Sequence, residues 1–231
     1  MALLGDAVMV IYCDFDGDPA EHDDWHTWEH LHERLSIPGF LRATRWVARS
    51  GSPRWMILYE VTGVDLASSD AYLARLNAPT PWTTSIMGRL RGMVRGFATI
   101  AGSAGFGLGT TALSLRFVPA EGHESQERER LVSKVLPRLA SRRGMASVHL
   151  LQPAPRPPMT KEQSLRGRDA EPGWIVLATA HDPDALQAAA AQAAIAPPVQ
   201  NATYEMRFVA TAAEVARTAP NPPRNTPPET T

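Results

Sequence analysis

The sequence predicts an α+β protein in which one β-α-β-β-α-β pattern is used twice. Three observations carry this expectation. Apolar strand-like runs and polar helical segments follow one another in the same order in both halves of the chain. Several strand-like runs are apolar on both faces, so each sheet needs cover on two sides. The helix-to-strand junction Pro38-Gly39-Phe40-Leu41 falls where Arg143-Gly144-Met145-Ala146 falls in the second half. Together they give two tandem ferredoxin-like units packed sheet to sheet as an intrachain α+β barrel.

The elements follow in order. The apolar run at 7–13 is a strand, and a His-rich helix is expected from about 20 to 36. Strands at 40–48 and 54–62 flank the turn-forming Ser50, Gly51, Ser52 and Pro53. A helix at 65–76 and a strand at 93–100 complete the first unit, residues 1–101. The irregular segment 77–83 between them carries Trp82. Residues 102–109, rich in Gly and Ala, are expected to be a linker. The second unit, 110–216, has strands at 111–119, 145–152, 174–180 and 202–210 and helices at 124–141 and 184–194. In 54–62, Trp55, Ile57, Tyr59 and Val61 point one way and Met56, Leu58, Glu60 and Thr62 the other. Two helices per unit cover one sheet face only, so the other face requires the second unit.

Proline marks what lies outside the pattern. Of the 20 prolines, four stand at 153–158 and five in the tail 217–231. The tail has almost no apolar residues and is expected to be disordered. Segment 153–173 is too long for a hairpin turn and is a candidate lid.

Composition excludes several classes of function. The chain has 231 residues, 44% hydrophobic, with 23 Lys plus Arg against 24 Asp plus Glu and a net charge of -1. That balance lacks the basic excess of a nucleic-acid binder. No apolar stretch approaches the roughly 20 residues of a membrane span, and the start lacks a basic signal region, so a cytoplasmic, membrane-free protein is expected. Cys13, the single cysteine, excludes a disulfide framework and reads as a small buried residue. No nucleophile elbow, P-loop or dinucleotide fingerprint occurs.

Four of the seven histidines lie in the first helix. His22, His26 and His30 follow i, i+4, i+8, a stripe that drifts about 40° per step on an α-helix. Trp25, Trp28, Leu31, His32 and Leu35 form the face expected on the sheet, with His32 semi-buried beside Trp25. Glu29 between the faces can pair with His26, His30 or His32 as an acid/base couple, because histidine changes charge near neutral pH. Arg45, on the strand parity of Leu41, Ala43 and Val47, either pairs with Glu29 or holds an anionic group. No metal site is expected, since the helix has no His-Glu-x2-His spelling and no third ligand.

The segment WHTWEHLHERLSIPGFLRATRWV (25–47), followed by WMILYEVTGVDLASSDAYLARL (55–76), resembles the EthD-like branch of the dimeric α+β barrel superfamily. The matching residues are Trp25, Glu29, His30, Arg34, Pro38, Gly39, Phe40 and Arg45. The motif likeness covers about 20–100; the second half matches in pattern only. The resemblance implies a pocket between sheet and helices bordered by Trp25, Glu29 and His30. It also implies a cofactor-independent enzyme of isomerase, cyclase, decarboxylase or oxygenase type, acting on a hydrophobic aromatic or polyketide-like small molecule. His30 or His26 is then the base, Glu29 its orienting partner and Arg45 an oxyanion holder, with Trp25, His32, Tyr59 and Trp82 lining the pocket. A haem-binding barrel and a non-catalytic binding or assembly protein are the alternatives. The expected assembly is a monomer with an intrachain pseudo-dimer, or a homodimer.

Overall fold

A computed structural model describes residues 2–193, 195 and 200–218. From 219 on, the tail expected at 217–231 lies outside the described residues. The first unit runs β1 (Ala7–Phe15), α1 (Pro19–Trp25), a π turn (His26–His30), α2 (Leu31–Leu35), β2 (Phe40–Ser50) and β3 (Trp55–Val61). A 3-10 turn (Val64–Ser68), α3 (Asp70–Leu76), α4 (Pro81–Met87) and β4 (Leu90–Gly105) complete it. The second unit runs β5 (Thr111–Phe117), α5 (Glu124–Arg130), a second π turn (Leu131–Val135), α6 (Leu136–Ala140) and β6 (Met145–Pro153). It continues with α7 (Lys161–Ser164), β7 (Trp174–Ala180), α8 (Pro183–Gln192), β8 (Gln200–Thr211) and α9 (Ala212–Val215).

Local chemistry sets the helix starts. Asp18 accepts the Ala20 N–H at 2.9 Å ahead of Pro19, and Thr80 accepts the Thr83 N–H at 3.0 Å ahead of Pro81. Both pair a side-chain cap with a proline whose missing N–H costs the first turn nothing. The second cap turns 81–87, expected to begin in an irregular segment, into α4.

The eight strands form one closed antiparallel barrel in the order β1-β3-β2-β8-β5-β7-β6-β4. Each half has the ferredoxin-like order, β4-β1-β3-β2 and β8-β5-β7-β6. The sheets face each other as expected and are also hydrogen-bonded along both edges, β2 to β8 and β4 to β6. Closure leaves no strand edge open to another chain among the described residues. The linker expected at 102–109 is a correction: β4 continues through Gly105, pairing with β1 by its first part and with β6 by its second. Its small residues serve packing, since a Cβ on Gly102 would meet Val132 Cγ2 of the second π turn at 2.5 Å.

Alternation along the strands divides the core in two. Val8, Val10, Tyr12, Met56, Leu58, Ile175 and Leu177 fill the barrel interior with Trp46 and Tyr204. Met9, Ile11, Trp55, Ile57 and Tyr59 point outward beneath the first unit's helices. Leu58→Ala opens a cavity where neither sheet can collapse inward, and is expected to cost about 2–5 kcal/mol of unfolding free energy. Urea titration with an unchanged m-value checks this; a loss under about 1 kcal/mol would contradict a close-packed interior.

Candidate functional site

The helix over β1 and β3 carries the site. Between α1 and α2 the backbone widens into a π turn, closed by the Leu31 N–H donating to the His26 carbonyl. More residues per turn cancel the drift expected of an i, i+4, i+8 stripe. His22, His26 and His30 therefore stay in line and face the sheet, all buried, while Trp28 is 46% exposed. The packed face expected from an α-helical wheel is corrected accordingly: Trp25, Leu31 and Leu35 are buried and His32 is half-buried as expected, whereas Trp28 faces out. The His22 and His26 rings stack with centroids 5.9 Å apart, and His30 lies 4.3 Å from Trp25.

Arg45 locks this helix to β2. Its Nη1 donates to the Asp23 carbonyl at 3.0 Å, to Thr27 Oγ1 at 2.9 Å and to His26 Nδ1 at 3.2 Å. Its Nε lies 3.3 Å from the Asp23 carboxylate. Arginine only donates, so His26 Nδ1 is the acceptor and Nε2 carries the proton, donating to Tyr59 Oη at 3.1 Å. Burial lowers the His26 pKa well below its ordinary value, and the Arg45 charge lowers it further. His30 is likewise lowered well below the ordinary value by burial and then by Arg34. His22 is lowered by burial despite donating Nδ1–H to Asp23 at 3.3 Å. The three rings are neutral at pH 7, and His22 Nε2 and His30 Nδ1 have no hydrogen-bond partner.

His22, Trp25, His26 and His30 wall a small cavity whose floor is Met9, Ile11 and Cys13 of β1 and whose far side is Arg34 of α2. The free space measures about 20 Å³, room for one water molecule. Its roof comes from the other unit. Segment 154–173, between β6 and β7, crosses onto the first unit, and Glu162 of α7 meets Arg34 Nη2 at 2.7 and 2.6 Å. Arg166 pairs with Asp169 through Nε and Nη2, both at 2.9 Å, and Arg95 Nη1 lies 4.0 Å from the same carboxylate. The backbone is stitched down by Ala170 N–H to the Met93 carbonyl and Arg95 N–H to the Ala170 carbonyl.

The expected residues sort as follows. His26, His30 and Trp25 share the cavity wall. Tyr59 stands behind His26, buried. Arg45 faces the helix and is occupied by it, so its guanidinium holds structure instead of facing the cavity. Glu29 reaches no histidine: its Oε1 accepts from Thr80 Oγ1 at 2.6 Å and Thr83 Oγ1 at 3.0 Å, binding the π turn to α4. His32 and Trp82 are absent from the wall; Trp82 packs on the core from α4. Burial pushes the Cys13 thiol up to about 12, so it stays protonated. Sequence reasoning did not bring Arg34, Arg95, Glu162, Arg166 and Asp169 together. The available signals were Arg34 in the quoted motif and the surplus of charge inside 153–173. Among the described residues no group of three or more His, Cys, Asp or Glu is placed to hold a metal ion. No helix among them is long and apolar enough to cross a membrane. With segment 154–173 in place the cavity has no room for a haem, nor for any ligand larger than a water molecule, and both His26 nitrogens are engaged.

Neutral burial has a signature in stability. Besides these three rings, His149 is lowered to about 4 by burial. A histidine with a depressed folded-state pKa gains its proton on unfolding, so stability is full above about pH 6.5 and is lost as pH falls toward the folded-state values. Unfolding free energy from urea titrations is expected to decline steadily from pH 7 to pH 5. His149→Gln is expected to make the decline shallower, by at most one proton's slope, about 1.4 kcal/mol per pH unit. A flat profile over this range would contradict neutral burial of the four rings.

No family model matches the chain, and no curated protein matches it by sequence. Solved structures do match. An anthrone oxidase-like protein superposes with a TM-score of 0.59 at 12% identity, over 93% of this chain and 97% of that one. A proposed monooxygenase from Fusobacterium nucleatum subsp. nucleatum gives 0.55 at 9% identity, over 90% and 96%. Another from Lactobacillus acidophilus gives 0.54 at 10% identity, over 90% and 97%. Likeness along nearly the whole of each chain, at such low identity, is a likeness of architecture: this chain has the fold of the dimeric α+β barrel proteins.

Proposed function

We propose that the chain is a small-molecule enzyme working by proton transfer in the cavity beneath α1 and α2, on a hydrophobic aromatic or polyketide-like substrate. The observation that carries this is the unpartnered His30 Nδ1, buried in a cavity wall beside Trp25. Buried polar atoms without partners are rare in folded proteins and call for an explanation. A ring nitrogen kept for a reacting group supplies one. The names of the structural neighbours, an anthrone oxidase-like protein and proposed monooxygenases, support the same class of chemistry.

In this reading His30, neutral at pH 7, takes a proton from an acidic C–H or O–H of the substrate, and the resulting anion rearranges or reacts with dissolved dioxygen. Trp25 offers an aromatic wall. Arg45 and Tyr59 are positioning residues that fix the tautomer and orientation of His26, while Glu29 holds the helix against α4. A substrate larger than a water molecule enters only when segment 154–173 moves aside.

An anthrone such as 1,8-dihydroxyanthrone is a direct probe. Its oxidation to the anthraquinone consumes one dioxygen and releases one water, and is followed by absorbance and an oxygen electrode. The wild type is expected to exceed the buffer rate, and His30→Ala and His30→Gln to lower kcat about 10²–10⁴-fold. Quenching of Trp25 fluorescence without turnover would instead make the protein a binder. A Soret shift with haemin, lost on replacing one of the three histidines, would replace this reading with haem binding.

A further inference from the structure

Arg34 is a buried charge whose hydrogen-bonding capacity is only partly used. It is 2% exposed, on α2 one turn beyond His30, and forms part of the cavity wall. Both Glu162 oxygens sit on a single nitrogen, Nη2, while Nη1 has no partner. A guanidinium presents its donors as a fork that a planar carboxylate can take two at a time. Glu162 uses half of that fork, both of its oxygens meeting Nη2.

The geometry points to Arg34 as the seat for the carboxylate of an acidic aromatic ligand, held in the closed protein by the chain's own Glu162. This rests on the pocket reading above and adds to it the charge of the ligand. Three further features support it. First, the stretch that carries Glu162 has little regular structure of its own, the backbone ties to β4 lying farther on at Ala170. Its only helix is the four-residue α7, held by the Thr160–Gln163 capping box and by the Lys161 N–H donating to Asn77 Oδ1. So short a helix has little stability of its own. Gly167, at φ +88 with nothing within 4 Å of a Cβ, gives the segment a pivot.

Second, the charges leave together. Glu162, Arg166 and Asp169 all belong to the roof, so lifting it takes both carboxylates away from Arg34 and Arg95, together with Arg166. Arg34 and Arg95 remain on the wall with no carboxylate against them. An incoming carboxylate restores the balance that the roof supplied. Third, the exchange is close to even in kind. A buried ion pair is strongly unfavourable to break but contributes little beyond what an equivalent partner would give. A ligand acid that also reaches Nη1 replaces Glu162 without leaving either charge stranded. Its ring then lies along His30, one helical turn away, and the Trp25 ring that His30 packs on.

The test compares 2-naphthoate with its neutral isostere 2-naphthamide by titration calorimetry. Glu162→Gln removes the competing carboxylate and is expected to bind naphthoate at least tenfold more tightly than wild type, with naphthamide affinity unchanged. Arg34→Met in the Glu162→Gln background is expected to lose that gain. The double variant Arg34→Met/Glu162→Met replaces the pair by apolar contact, which protects the fold, and is expected to bind the amide but not the acid. In the wild type, naphthoate and not naphthamide should raise hydrogen exchange of the amides at 161–169, a readout that needs no variant. Equal binding of acid and amide by wild type and Glu162→Gln would overturn the Arg34 seat and leave the aromatic pocket standing. Binding of neither compound by any variant would overturn both.

Discussion

Each sheet of this protein is apolar on two faces, and the chain supplies only enough helix to cover one. Met9, Ile11 and Ile57 go beneath the helices of the first unit, while Val8, Val10 and Leu58, one residue away in each case, point to the opposite side. Burying the second set requires the other sheet, and seating one sheet on the other brings β2 against β8 and β4 against β6. The edges then pair and the barrel closes. Closure has a functional consequence. The interior fills with Tyr12, Trp46, Tyr204 and their aliphatic neighbours, so space for a ligand is left on the outside, between the sheet and the helix that lies across it.

The two units use the same architecture for different ends. Both first helices widen into a π turn at the same place in the pattern. In the second unit the turn buries Leu131 and Val135, and the helix closes an apolar core. In the first it buries His26 and His30, and the surrounding side chains have to satisfy or tolerate them. Arg45 and Tyr59 occupy both nitrogens of His26. Asp23 takes one from His22, whereas one nitrogen each on His22 and His30 is left without a partner. A helix turn that costs regular geometry and buries unpaired imidazole nitrogen is the local inconsistency expected where a fold carries chemistry. The second unit contributes differently, by sending 154–173 across as a roof.

Much of the architecture was legible because strand alternation has period two and survives any tertiary arrangement. The two faces of 54–62 were assigned from the sequence, and the barrel uses them as assigned. The face of the first helix was misread because the wheel assumes a constant 100° step, and the π turn between Trp25 and Leu31 changes that step. Nothing in the local sequence announces a π turn: it occurs at the same place in both units, over buried histidines in one and over Leu131 and Val135 in the other. The role of Glu29 was misread for a related reason. Its neighbours in sequence are histidines, but its neighbours in space are Thr80 and Thr83 of α4.

The sequence by itself determined the repeated β-α-β-β-α-β order, the pairing of two sheets, and the clustering of four histidines on one helix of the first unit. These follow from short-range pattern and from the composition of single elements. Tertiary structure alone decided which histidines are buried, that Arg45 and Glu29 secure the helix, and that Arg34 meets Glu162 across 128 residues of chain. A contact between such distant residues depends on strand order and on the path of one loop. No periodicity within either segment encodes it.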